Sequence, residues 1–168
     1  MIFAKLNMPL NIKNNKVYFI SAVFLNIWFC SIALSQESNR LWINAGFYSQ
    51  HFETNRGLRN ANPGIGMEYV VDENLSTTAG GFINSDNAHS RYVGAIYKPW
   101  QSGNWRFGGV AAAFNGYPRA FNGGWFPAVL PVATWESGHS GLNVVFVPPL
   151  QNRLYGAISF QYKMRFVD

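Results

Sequence analysis

Beyond residue 35 the sequence has no cysteine; the only one in the chain is Cys30. That excludes a disulfide-stapled domain and a thiolate metal centre from residue 36 onward. Charge is scarce as well, at 12% of all residues. The basic residues past the start, Arg40, Arg56, Arg59, Arg91, Lys98, Arg106, Arg119, Arg153, Lys163 and Arg165, are dispersed along the chain. A nucleic-acid footprint needs lysine and arginine gathered on one face, so no nucleic-acid partner is expected. The same stretch also lacks any apolar run long enough for a helix to cross a bilayer.

The first 35 residues lack acids, carry Lys5, Lys13 and Lys16, and then run VYFISAVFLNIWFCSIALS from Val17. A basic start, an apolar run and the small pair Ala33 and Ser35 before Gln36 predict a cleaved export signal over residues 1–35. The alternative is an uncleaved anchor, since the run approaches the length of a membrane span. Ile27, Trp28 and Phe29 are too large for a lipid-attachment box before Cys30, so that cysteine is expected to leave with the signal. Removing the signal takes three of the 13 basic residues and none of the 8 acidic ones, so the formal charge of +5 falls to +2. No linker, repeat or low-complexity segment follows, and residues 36–168 read as one domain.

What is present is aromatic and glycine-rich: aromatics make up 17% of the chain, and there are 16 glycines. Together with period-two alternation this predicts an all-β fold with strands near 41–51, 64–71, 76–83, 90–98, 105–115, 128–135, 142–148 and 154–167. In the last, Leu154, Gly156, Ile158, Phe160, Tyr162, Met164 and Phe166 oppose Ser159, Gln161, Lys163 and Arg165. In strand two Ile65, Met67, Tyr69 and Val71 oppose Gly64, Gly66 and Glu68. An eight-stranded antiparallel transmembrane barrel places Lys163, Arg165 and Glu68 inside, because a lysine or arginine on the lipid face at mid-membrane costs about 2–4 kcal/mol. A soluble secreted barrel is the rival, and it requires polar outward faces. Strand one has no assigned facing: His51 shares a face with Leu41, Ile43, Ala45 and Phe47 unless a bulge intervenes.

Predicted links after odd strands, about 52–63, 84–89, 116–127 and 149–153, are mostly longer than those after even strands, DENL, PWQSGN and ESGHSG. Outer-membrane barrels have that asymmetry, with the long loops outside and both termini in the periplasm. His51, Asn84 and Ser85 then share the external rim, with His89 and Ser90 nearby, whereas His139 and Ser140 lie at the other end. A serine needs a base to become a nucleophile, imidazole is the usual one, and a third group fixes its tautomer. Ser85 and His51 fill the first two roles and Asn84 is a candidate for the third. The competing reading of Asn84 is a turn-former that binds its own backbone.

GGFINS at Gly80–Ser85, FPAVLP at Phe126–Pro131, the stretch from Pro131 through FVPP to a closing strand ending KMRF, and NANPGIG at Asn60–Gly66 together resemble the outer-membrane lipid A palmitoyltransferase family. The resemblance implies a barrel that moves an acyl chain from a phospholipid donor to lipid A, without metal or cofactor, and that works as a monomer. Ser85 matches the family's serine and His51 its histidine, while Asn84 stands where an aspartate is expected. A neutral amide there cannot stabilise an imidazolium by charge.

The resemblance further implies an interior acyl pocket and a lateral gate at prolines. Gly94 and Gly108 are expected to make room for the chain, with Ile96 raising the pocket floor to favour one shorter than palmitate. Pro127, Pro131, Pro148 and Pro149 cannot donate to a ladder, so a route is expected between strands five and six and between seven and eight. Arg56, Arg59 and Arg119 are candidates to meet lipid A phosphates. Two other functions are consistent with the sequence: a non-enzymatic surface barrel, and a lipid A deacylase using His89 and Ser90.

Overall fold

The computed structural model describes residues 39–150 and 154–166. The predicted signal, with Ala33, Ser35 and Cys30, lies outside the described residues. Eight strands follow one another: β1 (Leu41–His51), β2 (Ala61–Val70), β3 (Leu75–Ile83), β4 (His89–Ser102), β5 (Trp105–Phe114), β6 (Phe126–Ser137), β7 (Ser140–Val147) and β8 (Ala157–Met164). Each pairs antiparallel with its sequence neighbours, and β1 pairs with β8 to close the barrel. Closure removes both sheet edges.

Alternation decides which residues face in. Val129 is 77% exposed and Ile65 71%, and Met67, Val93, Tyr97, Trp100 and Phe107 also present apolar side chains outward. Asn44, Glu68, Ser76, Thr134, Asn143 and Lys163 are fully or almost fully buried inside. The outer wall therefore carries many apolar side chains. In β1 the register slips between Ala45 and Phe47 against β2, and between Asn44 and Phe47 against β8. This bulge turns the strand over: Trp42 and Asn44 are buried before it, Ser49 and His51 after it.

Several strand ends differ from expectation. β4 runs on past Pro99 because a further bulge between Tyr97 and Trp100 accommodates the turn end of the hairpin. Ser102 pairs with Trp105, and Ser137 with Ser140, so β4–β5 and β6–β7 are joined by two-residue turns. The first residue of each is a glycine at positive φ, Gly103 at 57° and Gly138 at 54°, as tight hairpins require. β8 begins at Ala157, later than expected, because Leu154 still belongs to the long-loop end.

The interior is divided in two. Toward the short-turn end Glu68 lies 3.0 Å from Lys98 and 2.8 Å from Lys163, and Glu136 lies 2.7 Å from Lys163. The Lys163 ammonium also lies over the Trp42 ring, 4.6 Å from its centroid, with the Arg165 guanidinium 4.5 Å from the same ring. Asn143 donates to Glu68, and Thr134 to Asn143. Toward the long-loop end the wall is apolar: Ile96, Val110, Ala112 and Val132 pack together with Phe114, Leu130 and Val145. Tyr92, nearer the long-loop rim than Ile96 in β4, also lines this space, its hydroxyl accepting from Gln161 at 3.2 Å. A methyl group at Gly66 or Gly80 would sit 2.3 or 2.7 Å from that hydroxyl, so these two glycines hold the space for Tyr92.

Glu68 is the shared partner of two buried ammonium groups. Breaking a buried pair by removing one member costs about 3–5 kcal/mol, and Glu68→Leu is expected to lower stability by that amount in equilibrium urea unfolding of the barrel. A loss below about 1 kcal/mol, the value of an exposed pair, would show that the lysines do not depend on it.

Candidate active site

His51 ends β1 and Ser85 follows β3 by two residues, at the same rim of the barrel. The His51 Nε2 lies 3.0 Å from the Ser85 hydroxyl. On the other side of the ring, Nδ1 lies 2.9 Å from Asn60 Oδ1. An amide oxygen can only accept, so the ring carries its proton on Nδ1 and presents the bare Nε2 to Ser85. The serine hydroxyl then donates to that nitrogen, which is the arrangement a nucleophile and its base require.

Backbone bonds fix this trio. The Arg59 N–H donates to the Ser85 carbonyl at 3.0 Å, tying the loop that carries Asn60 to the one that carries Ser85. The Ser49 N–H donates to the Asn60 carbonyl at 2.8 Å, and the Phe52 N–H to the Gly156 carbonyl at 2.9 Å. The Arg59 side chain adds bonds to the Ala61 carbonyl and to Asn87. His51 is itself buried, at 7% exposure.

Asn84 is not the group on the histidine ring; Asn60 holds that position. The Asn84 amide is fully buried, its nitrogen donating to Ser90 Oγ in β4 and to the Gly116 carbonyl in the loop after β5, its oxygen accepting from the N–H groups of Asp86 and Ala88 in its own loop. The competing reading of Asn84 as a turn-former describes the two contacts of its oxygen. His89 and Ser90, adjacent in β4, face opposite sides of the sheet: His89 is exposed and Ser90 buried, so they form no pair. No protein-family model matches the chain, and no curated protein matches its sequence. What the site can do therefore rests on its geometry and on the motifs already quoted.

His51 and Ser85 stand at the mouth of a cavity of about 130 Å³ that runs down the apolar half of the barrel. Its lining is mainly apolar, which suits an apolar guest. Phe47, Phe82, Phe114 and Phe126 form its upper wall, and Ile96, Val110 and Val132 lie deep in it. Of the three residues expected in an acyl pocket, Ile96 lines the cavity and is 4% exposed. Gly94 and Gly108 do not make room there. A Cβ on Gly94 would meet the Ala111 carbonyl and Ala112 at 2.4 Å, and one on Gly108 the Tyr97 carbonyl, so both allow close strand contact.

The prolines also fall differently. β5 and β6 pair without interruption from Phe114–Phe126 to Trp105–Trp135, through Pro127 and Pro131, and β7–β8 pairing is continuous up to Val147, just before Pro148. The ladder that stops short is β6–β7, whose last pair toward the long loops is Val132 with Val145. Pro131 is the next residue of β6, so the seam lies between β6 and β7, above Pro131, and not beside β5 or β8.

Around the mouth, Arg119 donates to the Tyr155 hydroxyl at 2.7 Å and lies 3.4 Å from Asp86. Arg56 pairs with Glu53 at 2.8 Å and lies over the same tyrosine ring. Tyr117, in the loop after β5, also lines the cavity; burial, and to a lesser degree Asp86, pushes its phenol well above the usual tyrosine range. It stays protonated at every physiological pH and is available as a neutral donor.

Asn84→Asp should weaken the loop. A carboxylate would set an acceptor against the Gly116 carbonyl, which has no proton to offer, and leaving such groups unmatched costs about 1–3 kcal/mol. The expected result is faster limited proteolysis in residues 84–88 and a lower unfolding midpoint. Unchanged proteolysis and stability would show that the loop does not rely on this amide.

Proposed function

We propose that this chain is an outer-membrane acyltransferase that moves an acyl chain from a phospholipid to lipid A. The observation that carries the reading is the Ser85–His51–Asn60 relay at the mouth of an apolar cavity. An acyl chain fits such a cavity by chemistry, and its ester carbonyl would then lie at the rim beside the serine. The apolar outward face supports a location in the bilayer, where strands alternate lipid-facing and lumen-facing residues.

In the proposed reaction Ser85 gives its proton to His51 Nε2 as Oγ attacks the donor's acyl carbonyl. The bond from that carbonyl to the glycerol oxygen breaks, and His51 returns the proton to the departing oxygen. A hydroxyl of lipid A then attacks the Ser85 ester while His51 takes its proton, which passes back to Ser85 as Oγ leaves. One ester is broken and one formed, with no redox change. Asn60 holds the tautomer as the asparagine of cysteine–histidine–asparagine sites does, but being neutral it contributes orientation without charge stabilisation. The seam between β6 and β7 is the natural side entrance for the chain, and Ile96 in the deep part of the cavity favours an acyl group shorter than palmitate.

The test is a mass spectrum of lipid A from cells that lack their own outer-membrane acyltransferase and express this chain. The expected result is a gain of one acyl group shorter than palmitate, absent with Ser85→Ala, longer with Ile96→Gly, and reduced on the order of 10²-fold with Asn60→Ala. A loss of one chain would instead make the same relay a hydrolase. No change from a folded, membrane-resident protein would favour a non-enzymatic barrel.

A further inference from the structure

Among the described residues every lysine and arginine side chain but one has a hydrogen bond, an ion pair or a ring contact within the protein: Arg40 with Val71, Arg56 with Glu53, Arg59 with Asn87, Lys98 and Lys163 with Glu68, Arg106 with Glu73, Arg119 with Tyr155 and Arg165 with Gly138. The exception is Arg91. Its backbone N–H is held by Asn115, but its guanidinium meets no acid, carbonyl or ring.

Its position makes the exception informative. Arg91 is the third residue of β4 and follows the outward parity of Val93 and Tyr97, so the guanidinium stands on the outer, apolar side of the barrel near the long-loop rim. It pairs across the strands with Gly81, and a Cβ on Gly81 would be in ordinary contact with the Arg91 side chain, 4.0 Å from its Cγ. Gly81 in turn pairs with Ile65. The lack of a side chain at Gly81 leaves a groove on the outside of the wall, bordered by Pro63, Ile65, Ile83, His89 and Arg91. Its border mixes apolar and basic side chains, and it is separate from the cavity that His51 and Ser85 face.

We infer that this groove is a second lipid site, in which Arg91, assisted by His89, binds the phosphate of one phosphate-bearing lipid of the surrounding leaflet while a chain lies along Ile65. The inference rests on the membrane location proposed above. An unpaired guanidinium beside hydrocarbon lowers its free energy by reaching the headgroup level, and guanidinium binds phosphate oxygens in a forked, bidentate geometry. A neutral lipid with the same chains offers it nothing equivalent. The groove thereby holds a phosphate lipid against the outer wall of the strand hairpin whose tip carries Ser85.

Native mass spectrometry of the full mature chain, released from micelles containing phosphatidylglycerol, diacylglycerol of the same chains, or inorganic phosphate, tests this. The wild type should retain one phosphatidylglycerol about tenfold more than Arg91→Gln does, the effect of losing one charge-assisted hydrogen-bonded contact, with Arg91→Lys between them. Diacylglycerol and inorganic phosphate should be retained equally poorly by all three. Equal phosphatidylglycerol retention by wild type and Arg91→Gln overturns the inference, as does equal retention of diacylglycerol. Strong retention of inorganic phosphate would make it a phosphate site and not a lipid site, and would overturn it too. Flotation with liposomes separates the levels: if neither protein floats, the membrane reading fails and this inference with it, whereas if both float without a difference in lipid retention, only the inference fails.

Discussion

Glu68 between Lys98 and Lys163 is the interaction on which the interior depends. Away from its rims, a barrel whose outer face is apolar sends its charges inward, and a buried ammonium is tolerable only beside a carboxylate that is also hydrogen-bonded. Two lysines, from β4 and β8, converge on one glutamate from β2, and Glu136 from β6 completes the set. Four strands are thereby joined across the lumen at one level. With Asn143, Thr134 and Gln161 filling the remaining space, the short-turn half of the barrel is closed.

Closing one half leaves the other as a blind cavity. Its lining is mainly apolar, with Ser49, Asn62, Thr78 and Ser159 among the polar exceptions. Tyr92, admitted by Gly66 and Gly80, reaches from the cavity wall to Gln161. At the open end polar chemistry returns, but as a fixed relay: the bulge in β1 turns His51 inward, and the loop bearing Asn60 is bound to Ser85 through Arg59. Apolar depth and a prepared serine at the entrance follow from the same division of the barrel.

The eight strands, the facing of the second and the last, and the inward Glu68 and Lys163 were legible because period-two alternation reports burial directly. The nearness of His51 and Ser85 to one rim was legible from loop order. Asn60 was not, since a residue in an irregular loop carries no periodic signal and its NANPG setting reads as a turn. It becomes findable only once β2 is seen to start at Ala61 and to pair with Tyr48, which brings Asn60 back beside the end of β1. Asn84 attracted the catalytic assignment because of its place next to Ser85, while its four contacts are long-range or backbone facts that a sequence does not print. Gly94 and Gly108 were misread for a related reason. A glycine inside a barrel can leave a void or admit a neighbouring backbone, and only the distance to that backbone distinguishes them. The seam between β6 and β7 depends on where a ladder stops, which proline positions alone do not fix.

The central claim is that the closed barrel holds one acyl chain in its apolar half with the carboxyl end at Ser85. Nuclear Overhauser contacts between a methyl-labelled protein and a phospholipid carrying a labelled terminal methyl measure this directly. The account predicts contacts from the chain terminus to the methyl groups of Ile96, Val110 and Val132. Contacts confined to outward residues such as Ile65, Val93 and Val129, with none to those three, would contradict it.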